Sequence, residues 1–155
     1  GLITSATMMF GHIETPEERV QHLIKIRDLQ TEKPPESPGF LAFIPWPFQR
    51  EGTTLIEKYP DIPLVSGAEY LRLIAMARIV LYNVPHIQAS LLTVGPEIAQ
   101  LCLHAGADDL GSVMMEEHVL SAAGSGYRYD AEGMQAIIRD AGFQPKQRNQ
   151  KYKTI

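Results

Sequence analysis

The sequence is poor in the residues that mark metal sites and nucleotide-binding loops. It has one cysteine in 155 residues and contains neither a CxxC pair nor an HExxH motif, so no set of zinc ligands is indicated. It has no GxGxxG or GxxxxGK[ST] turn, which argues against a Rossmann or P-loop nucleotide site. The single cysteine, Cys102, lies in the apolar pattern IAQLCLHAG and is predicted to belong to the core, because free cysteines are usually buried.

Long apolar runs and an excess of positive charge are also missing. No uninterrupted apolar stretch reaches the roughly 18 residues that a membrane-spanning helix needs, and the amino terminus does not resemble a secretion signal. We therefore predict a cytoplasmic protein without a membrane partner. The net charge of −4 argues against nucleic acid as a partner. The last residues, PKQRNQKYKTI (145–155), are locally basic and are expected to form a frayed, solvated tail.

What remains is typical of one globular domain, with 45% hydrophobic and 21% charged residues. Four apolar runs alternate with helical patterns: LITSATMMF, GFLAFIPWPF, HIQASLL and ADDLGSV. The second run contains two prolines, so its strand is expected to stop near Ile44 or Pro45. The chain starts at Gly1 with strand-like sequence, which favours a fragment of a longer protein.

The helix boundaries follow from capping signals. Thr15 and Glu18 form a capping box with Pro16 at the first helical position, and Ser66 and Glu69 predict a second box. By the same reasoning, Gly106 and Gly124 are expected to end two later helices. Asp130 is expected to cap the start of the last helix.

Alternation of this kind implies a parallel sheet, either open or closed into a barrel. Four βα units are half of a (β/α)8 barrel, and we predict such a half-barrel over residues 1–144, with a carboxyl-terminal helix. A half-barrel leaves two sheet edges and its inner face open. The missing amino-terminal half, or a second copy of the chain, is therefore expected to close it.

Both parallel architectures bind ligands at the carboxyl ends of their strands. Polar and aromatic side chains near those ends are His12, Glu14, Trp46, Phe48, Gln49, Arg50, Gln88, Ser90, Asp108, Asp109 and Ser112. Structural explanations stay open: Glu14 also suits a helix amino terminus, and the aspartates also suit turns. Gln88 is the more informative residue, because a buried amide inside an apolar strand needs hydrogen-bond partners.

Four longer segments carry a resemblance to a known family. They are GLITSATMMFGHIET, GFLAFIPWPFQREGTTL, ARIVLYNVPHIQASLLTVG and AGADDLGSVMMEEHVLSAAG. They resemble the carboxyl-terminal half of radical S-adenosylmethionine (SAM) enzymes related to biotin synthase, and within them the group that cyclises dehypoxanthine futalosine on the futalosine route to menaquinone. The resemblance implies a (β/α)8 barrel whose strands five to eight this chain supplies. The related deazaflavin-cofactor and aminofutalosine synthases, and a non-enzymatic βα-repeat domain, stay open as alternatives.

The resemblance also implies two cofactors. Family members hold a [4Fe-4S] cluster on a CxxxCxxC motif, which this sequence lacks, and one thiolate does not hold a cluster. The chain is therefore expected to bind no metal and to be inactive alone. In the family, a GxIxGxxE motif at the end of strand five packs against the adenine of SAM. Here Gly11 and Glu14 match while Thr7 and Met9 depart, which implies SAM contacts for Met9, Gly11 and Glu14.

The remaining rim residues are assigned to a small-molecule substrate by the same resemblance. The expected substrate-binding residues are His12, Gln49, Gln88, Ser90 and Ser112. Asp109 is the predicted catalytic residue, since the pKa of a carboxylate at the end of the last strand can be tuned by its surroundings.

Overall fold

A computed structural model describes residues 2–112 and 129–155. In these ranges three parallel strands form a sheet in the order β1-β2-β3: β1 (Thr4–Phe10), β2 (Phe40–Pro47) and β3 (His86–Ile87). The helices between and after them are α1 (Pro16–Glu32), α2 (Thr54–Lys58), α3 (Gly67–Val80), α4 (Leu91–His104) and α5 (Ala131–Asp140). This alternation confirms the predicted α/β class and fits half of a (β/α)8 barrel.

Strand β2 continues past Pro45 and ends at Pro47, so the expectation that it stops near Ile44 or Pro45 is wrong. The Phe48 N–H donates to Phe10 O in β1 (2.8 Å), and backbone N–H groups alternate in direction along a strand. The missing N–H groups of Pro45 and Pro47 therefore lie on the β3 side. Because β3 has already ended at Ile87, no ladder bond is lost there.

The third and fourth predicted units differ from expectation in length. Run HIQASLL was expected to be one strand, but the strand ends at Ile87 and Leu91 already begins α4. The chain turns because Ser90 O accepts hydrogen bonds from the N–H groups of Thr93 and Val94. In the fourth unit the described residues contribute one isolated parallel bridge, Gln88 to Asp109. The predicted helix MMEEHVLSAAG and its stop at Gly124 lie outside the described residues.

The predicted caps are largely confirmed. Thr15 Oγ1 accepts from Glu18 N (3.2 Å) while Glu18 Oε2 accepts from Thr15 N (2.7 Å), which completes the first capping box. Asp130 caps α5 as expected. At α3 the Ser66 side chain accepts from the backbone of Glu69 (3.2 Å), but the Glu69 carboxylate pairs with Arg19 of α1 instead of closing the box.

The sheet separates a helix-covered face from an open one. Side chains alternate along a strand, and partners on parallel strands point the same way. The covered face packs against the helices through Met8, Phe10, Phe43 and Ile87, which belong to the core with Tyr70, Leu73 and Ile74. The opposite surface, here called the inner face, carries Ser5, Thr7, Met9, Ala42, Ile44, Trp46, His86, Gln88 and Asp109. It is the surface that would face the interior of a barrel.

The end of the chain does not fray as expected. Residues 147–155, here called the tail segment, fold back on themselves through an antiparallel bridge between Arg148 and Thr154. Asn149 N donates to Lys153 O (2.9 Å) and Ile155 N donates to Gln147 O (3.0 Å). The boundary between half-barrel and tail at residue 144 stays a prediction. Within the described ranges, no helix combines the length and the apolar character needed to cross a membrane.

Candidate functional site

One carboxylate organises the loop that follows β1. Glu14 accepts hydrogen bonds from the N–H of Gly11 (2.6 Å) and of His12 (3.0 Å), and from Nε of Arg19 (2.6 Å). Gly11 has φ +86°, and a Cβ built on it would lie 2.0 Å from Val65 Cγ2, so only glycine fits there. Glu14 therefore fixes the shape of the loop from within it.

The protonation of Glu14 follows from the same contacts. Burial alone would raise the pKa of Glu14, but hydrogen bonds from the N–H groups of Gly11, Glu14 itself and His12, and from Arg19, outweigh it and lower the pKa. Arg19 also donates to Glu69 at the start of α3. The carboxylate is thus held ionised between the strand end and two helices.

Acidification is expected to expose this role of Glu14. Its folded-state pKa lies below the ordinary value of 4.5, so its contribution to stability is present above pH 4.5 and is lost as the pH falls through the folded value. Urea unfolding between pH 6 and pH 3 should show a smaller pH-dependent loss for Glu14→Gln than for the wild type. Glu17→Gln, an exposed first-turn change, is the control. Parallel pH curves for wild type and Glu14→Gln would contradict the assignment.

The inner face is arranged in layers across the strands. The layer nearest the amino ends contains Ser5, Ala42 and His86; the middle layer contains Thr7, Ile44, Gln88 and Asp109; the outermost contains Met9 and Trp46. Ala42 is fully buried, whereas Met9 is 54% and Trp46 is 49% exposed. Met9 and Trp46 are register partners, so they form one exposed apolar platform at the carboxyl ends of β1 and β2.

Gln88 and Asp109 are brought together as expected, but the tail segment contacts both. Asp109 accepts from Gly111 N (2.7 Å) and from Arg148 through two nitrogens, with Nη2 2.9 Å from Oδ1 and Nε bonded to Oδ2. The Tyr152 hydroxyl donates to Gln88 Oε1 (3.2 Å). Arg148 and Tyr152 were not predicted, because residues 145–155 were expected to form a solvated tail. The excess of basic residues there is a signal that could have suggested a partner for an acidic strand end.

The other predicted site residues are spread along the rim. His12 packs edge-on against Phe48, with 6.0 Å between ring centroids. Gln49 donates to Pro47 O (3.1 Å) and lines a groove of about 220 Å³ with Phe48, the start of α3 and the first turns of α4. Ser90 is buried, and its N–H donates to the Tyr70 hydroxyl (2.8 Å). Ser112 is exposed at the limit of the described residues.

The described residues include an apolar platform at the ends of the strands but no set of ligands for an iron–sulfur cluster. Residues 2–112 and 129–155 contain no group of three or more His, Cys, Asp and Glu side chains placed to hold a metal. Cys102 is buried, and burial raises the pKa of its thiol to about 12, so a thiolate ligand is disfavoured. The platform of Met9 and Trp46, in contrast, offers exposed apolar side chains of the kind that a purine ring packs against.

The parallel half-barrel with its rim of loops defines a member of the barrel-type α/β proteins, and comparison with known proteins gives the family. The family model described as "CofH/MqnC C-terminal region" matches residues 37–155. The chain belongs to this family. The matched region includes the tail segment.

Full-length relatives agree with the resemblance inferred from the sequence. The chain is 45% identical over 155 residues to the cyclic dehypoxanthine futalosine synthase of Streptomyces coelicolor, of which it covers 37%. It is 39% identical to the protein of the same name from Halalkalibacterium halodurans, covering 40% of it. It is also 40% identical to the 5-amino-6-(D-ribitylamino)uracil–L-tyrosine 4-hydroxyphenyl transferase of Archaeoglobus fulgidus, covering 44%. All of this chain thus aligns with about two fifths of each relative.

Proposed function

We propose that this chain is the carboxyl-terminal, substrate-side part of a radical SAM enzyme that cyclises dehypoxanthine futalosine in menaquinone biosynthesis. The observation that carries the proposal is the 45% identity, over all 155 residues, to a protein of that name. The rim geometry supports it, because an apolar platform lies beside a glycine loop at the carboxyl ends of parallel strands, where barrels bind ligands.

The residues of the β1 end are assigned to SAM. Met9, with Trp46 beside it, would cover the adenine, while Gly11 and Glu14 hold the loop in the shape that leaves this surface open. When bound, SAM supplies the radical source that takes hydrogen from the substrate. The cluster ligands must come from outside this chain, since Cys102 cannot provide them. A complementary amino-terminal half-barrel is therefore the proposed partner.

The substrate side is assigned to the remaining rim residues. His12, Gln49, Ser90 and Ser112 follow the ends of the strands along the chain, Gln49 lines the groove beside α3, and Gln88 lies one layer below the platform. Each offers a donor or acceptor to the polar groups of a nucleoside-like molecule. Asp109 was predicted to be the catalytic residue. Since both of its oxygens accept from Arg148, the geometry favours a positioning role, which is developed below.

Substrate turnover tests the proposal directly. The full-length protein that contains this chain, reconstituted anaerobically with its iron–sulfur cluster and SAM, should convert dehypoxanthine futalosine into the cyclised product, as followed by mass spectrometry. Omission of SAM is the control. Consumption of SAM with no cyclised product in any condition would overturn the assignment.

A second candidate is favoured by the 40% identity to the Archaeoglobus fulgidus transferase. The same preparation should therefore be offered 5-amino-6-(D-ribitylamino)uracil with L-tyrosine. Product from this pair, and none from dehypoxanthine futalosine, would move the chain into the transferase group.

Shortening Met9 is expected to weaken SAM binding. Full burial of a methionine side chain contributes about 1.5–3 kcal/mol, so Met9→Ala should raise the dissociation constant of SAM by about tenfold or more. Isothermal titration of the full-length protein measures this constant. Ile79→Ala removes a side chain of similar size and high exposure on α3 and should change nothing. An unchanged dissociation constant in Met9→Ala would remove Met9 from the SAM site.

A further inference from the structure

The tail segment lies on the inner face and touches its two lower layers. Tyr152 stacks on His86 of the first layer, with ring centroids 4.6 Å apart and planes 18° from parallel. It also donates to Gln88 of the middle layer, where Arg148 forms its two-nitrogen ion pair with Asp109. The platform layer of Met9 and Trp46 stays exposed. The tail segment therefore covers the β3 side of the two lower layers and stops beneath the carboxyl rim, while Ser5 and Thr7 of β1 stay exposed in the same layers.

The contacts that hold the tail segment are largely sheltered from water. The Asp109 side chain is 9% and the Arg148 side chain 17% exposed, so their attraction is screened less than that of a surface pair. The Arg148 guanidinium carbon also lies 4.0 Å from the centre of the Tyr152 ring, within cation–π range. Hydrogen bonding to Asp109 raises the pKa of Arg148, and burial raises the pKa of Tyr152, so both stay hydrogen-bond donors.

The backbone of the tail segment indicates that its position is determined by these contacts. Tyr152 has φ +56°, a left-handed conformation that is uncommon and strained for a bulky residue. Such a residue persists where its surroundings hold it. Here the ring is held between His86 and Arg148.

We propose that the tail segment is the floor of the ligand site, and that Arg148, through Asp109, is the positioning residue that holds it in place. The inference rests on the proposed function, since a floor matters when a ligand occupies the layer above. On this assignment, Asp109 anchors the floor and does not exchange protons with the substrate.

The floor also sets which polar atom of Gln88 a ligand meets. The Tyr152 hydroxyl donates a hydrogen bond to Oε1 of Gln88. Among residues 2–112 and 129–155, no acceptor is hydrogen-bonded to Nε2 of Gln88. Among these described residues, the two N–H bonds of Nε2 are left to donate. Gly111 leaves them room, because a Cβ there would lie 3.1 Å from Nε2. The site thus selects a ligand that presents an oxygen or nitrogen acceptor, such as a hydroxyl or carbonyl, to the middle layer.

Hydrogen exchange tests the floor without any turnover. In the full-length protein, the N–H groups of Asn149, Tyr152 and Ile155 are hydrogen-bonded and should exchange slowly. Arg148→Met should speed exchange of this peptide at least tenfold, and Arg148→Lys should give an intermediate rate. Arg139→Met, which removes an exposed arginine whose side chain donates to Gln135 on the same helix, is the matched control. If the N–H groups of the tail segment exchange as fast in the wild type as in Arg148→Met, the proposal that this segment forms a floor is overturned.

Turnover then tests the positioning role. Arg148→Met is expected to raise the KM for the substrate about tenfold and to increase the share of SAM that is cleaved without cyclised product, while Arg148→Lys restores part of both. A purely structural contact would lower the amount of active protein but leave the KM and the share of SAM cleaved without product unchanged. That result would overturn the positioning role of Arg148. If the wild type converts no substrate, the proposed function fails, and hydrogen exchange still decides on the floor.

The pH profile separates the two roles of Asp109. If Asp109 anchors the floor, Asp109→Asn and Arg148→Met should produce the same change in KM and should leave the pH dependence of kcat as in the wild type. Loss of the acidic limb in Asp109→Asn alone would make Asp109 the proton acceptor and overturn the anchoring role.

Discussion

Replacement of Tyr70 by phenylalanine is expected to lower the free energy of unfolding by about 2–4 kcal/mol. The Tyr70 hydroxyl donates to Pro45 O (3.0 Å) and accepts from Ser90 N (2.8 Å), and the residue is 1% exposed. Phenylalanine keeps the packing but leaves a buried carbonyl and a buried N–H unpaired, each at about 1–3 kcal/mol. Burial also raises the pKa of Tyr70, so the hydroxyl stays protonated across the usual pH range.

Urea-induced unfolding followed by circular dichroism measures this difference. Tyr82→Phe is the matched control, because Tyr82 is 74% exposed and the same atom is removed where water can replace it. The control is expected to change stability by less than about 0.5 kcal/mol. Equal effects of the two substitutions would mean that the bridge from Pro45 to Ser90 contributes nothing to stability.

The second large effect is expected at Gly11. Gly11→Ala should destabilise the protein by about 3 kcal/mol or more, because a left-handed backbone costs alanine about 1–2 kcal/mol and the new Cβ would overlap Val65 Cγ2 at 2.0 Å. The loop held by Glu14 would have to move to relieve the overlap. SAM binding should weaken along with stability if this loop borders the SAM site.

Gly142→Ala separates the two causes. Gly142 has φ +85°, nearly that of Gly11, and nothing lies within 4 Å of a Cβ built on it. It therefore reports the backbone cost alone, and the excess at Gly11 reports the overlap with Val65. Thermal unfolding of both variants gives the two values. If Gly11→Ala were no more destabilising than Gly142→Ala, the inferred overlap between a Cβ at position 11 and Val65 would be wrong.

Features with local causes were predictable from the sequence. The cap at Thr15 and Glu18 depends on residues three apart, and the parallel sheet follows from the order of its elements. The apolar run before Gly11 forms a strand, β1, as expected. Such signals lie within a few residues of the structure they specify, so one sequence is enough to reveal them.

Features with distant causes were not predictable. Arg148 meets Asp109 across 39 positions and Arg19 meets Glu69 across 50, and a sequence does not state which of several charges will be neighbours. The layer arrangement of Gln88 likewise depends on the register between strands. The candidates for the site were therefore found by their place at the strand ends, while their partners required the structure.

Two consecutive residues at the start of α3 connect all three strand ends. Glu69 reaches the β1 loop through Arg19, and Tyr70 reaches β2 at Pro45 and the turn after β3 at Ser90. A tilt of α3 would consequently move the three sides of the rim together. Substitutions on the outer surface of α3, far from the rim, are therefore expected to change the width of the opening between the three strand ends.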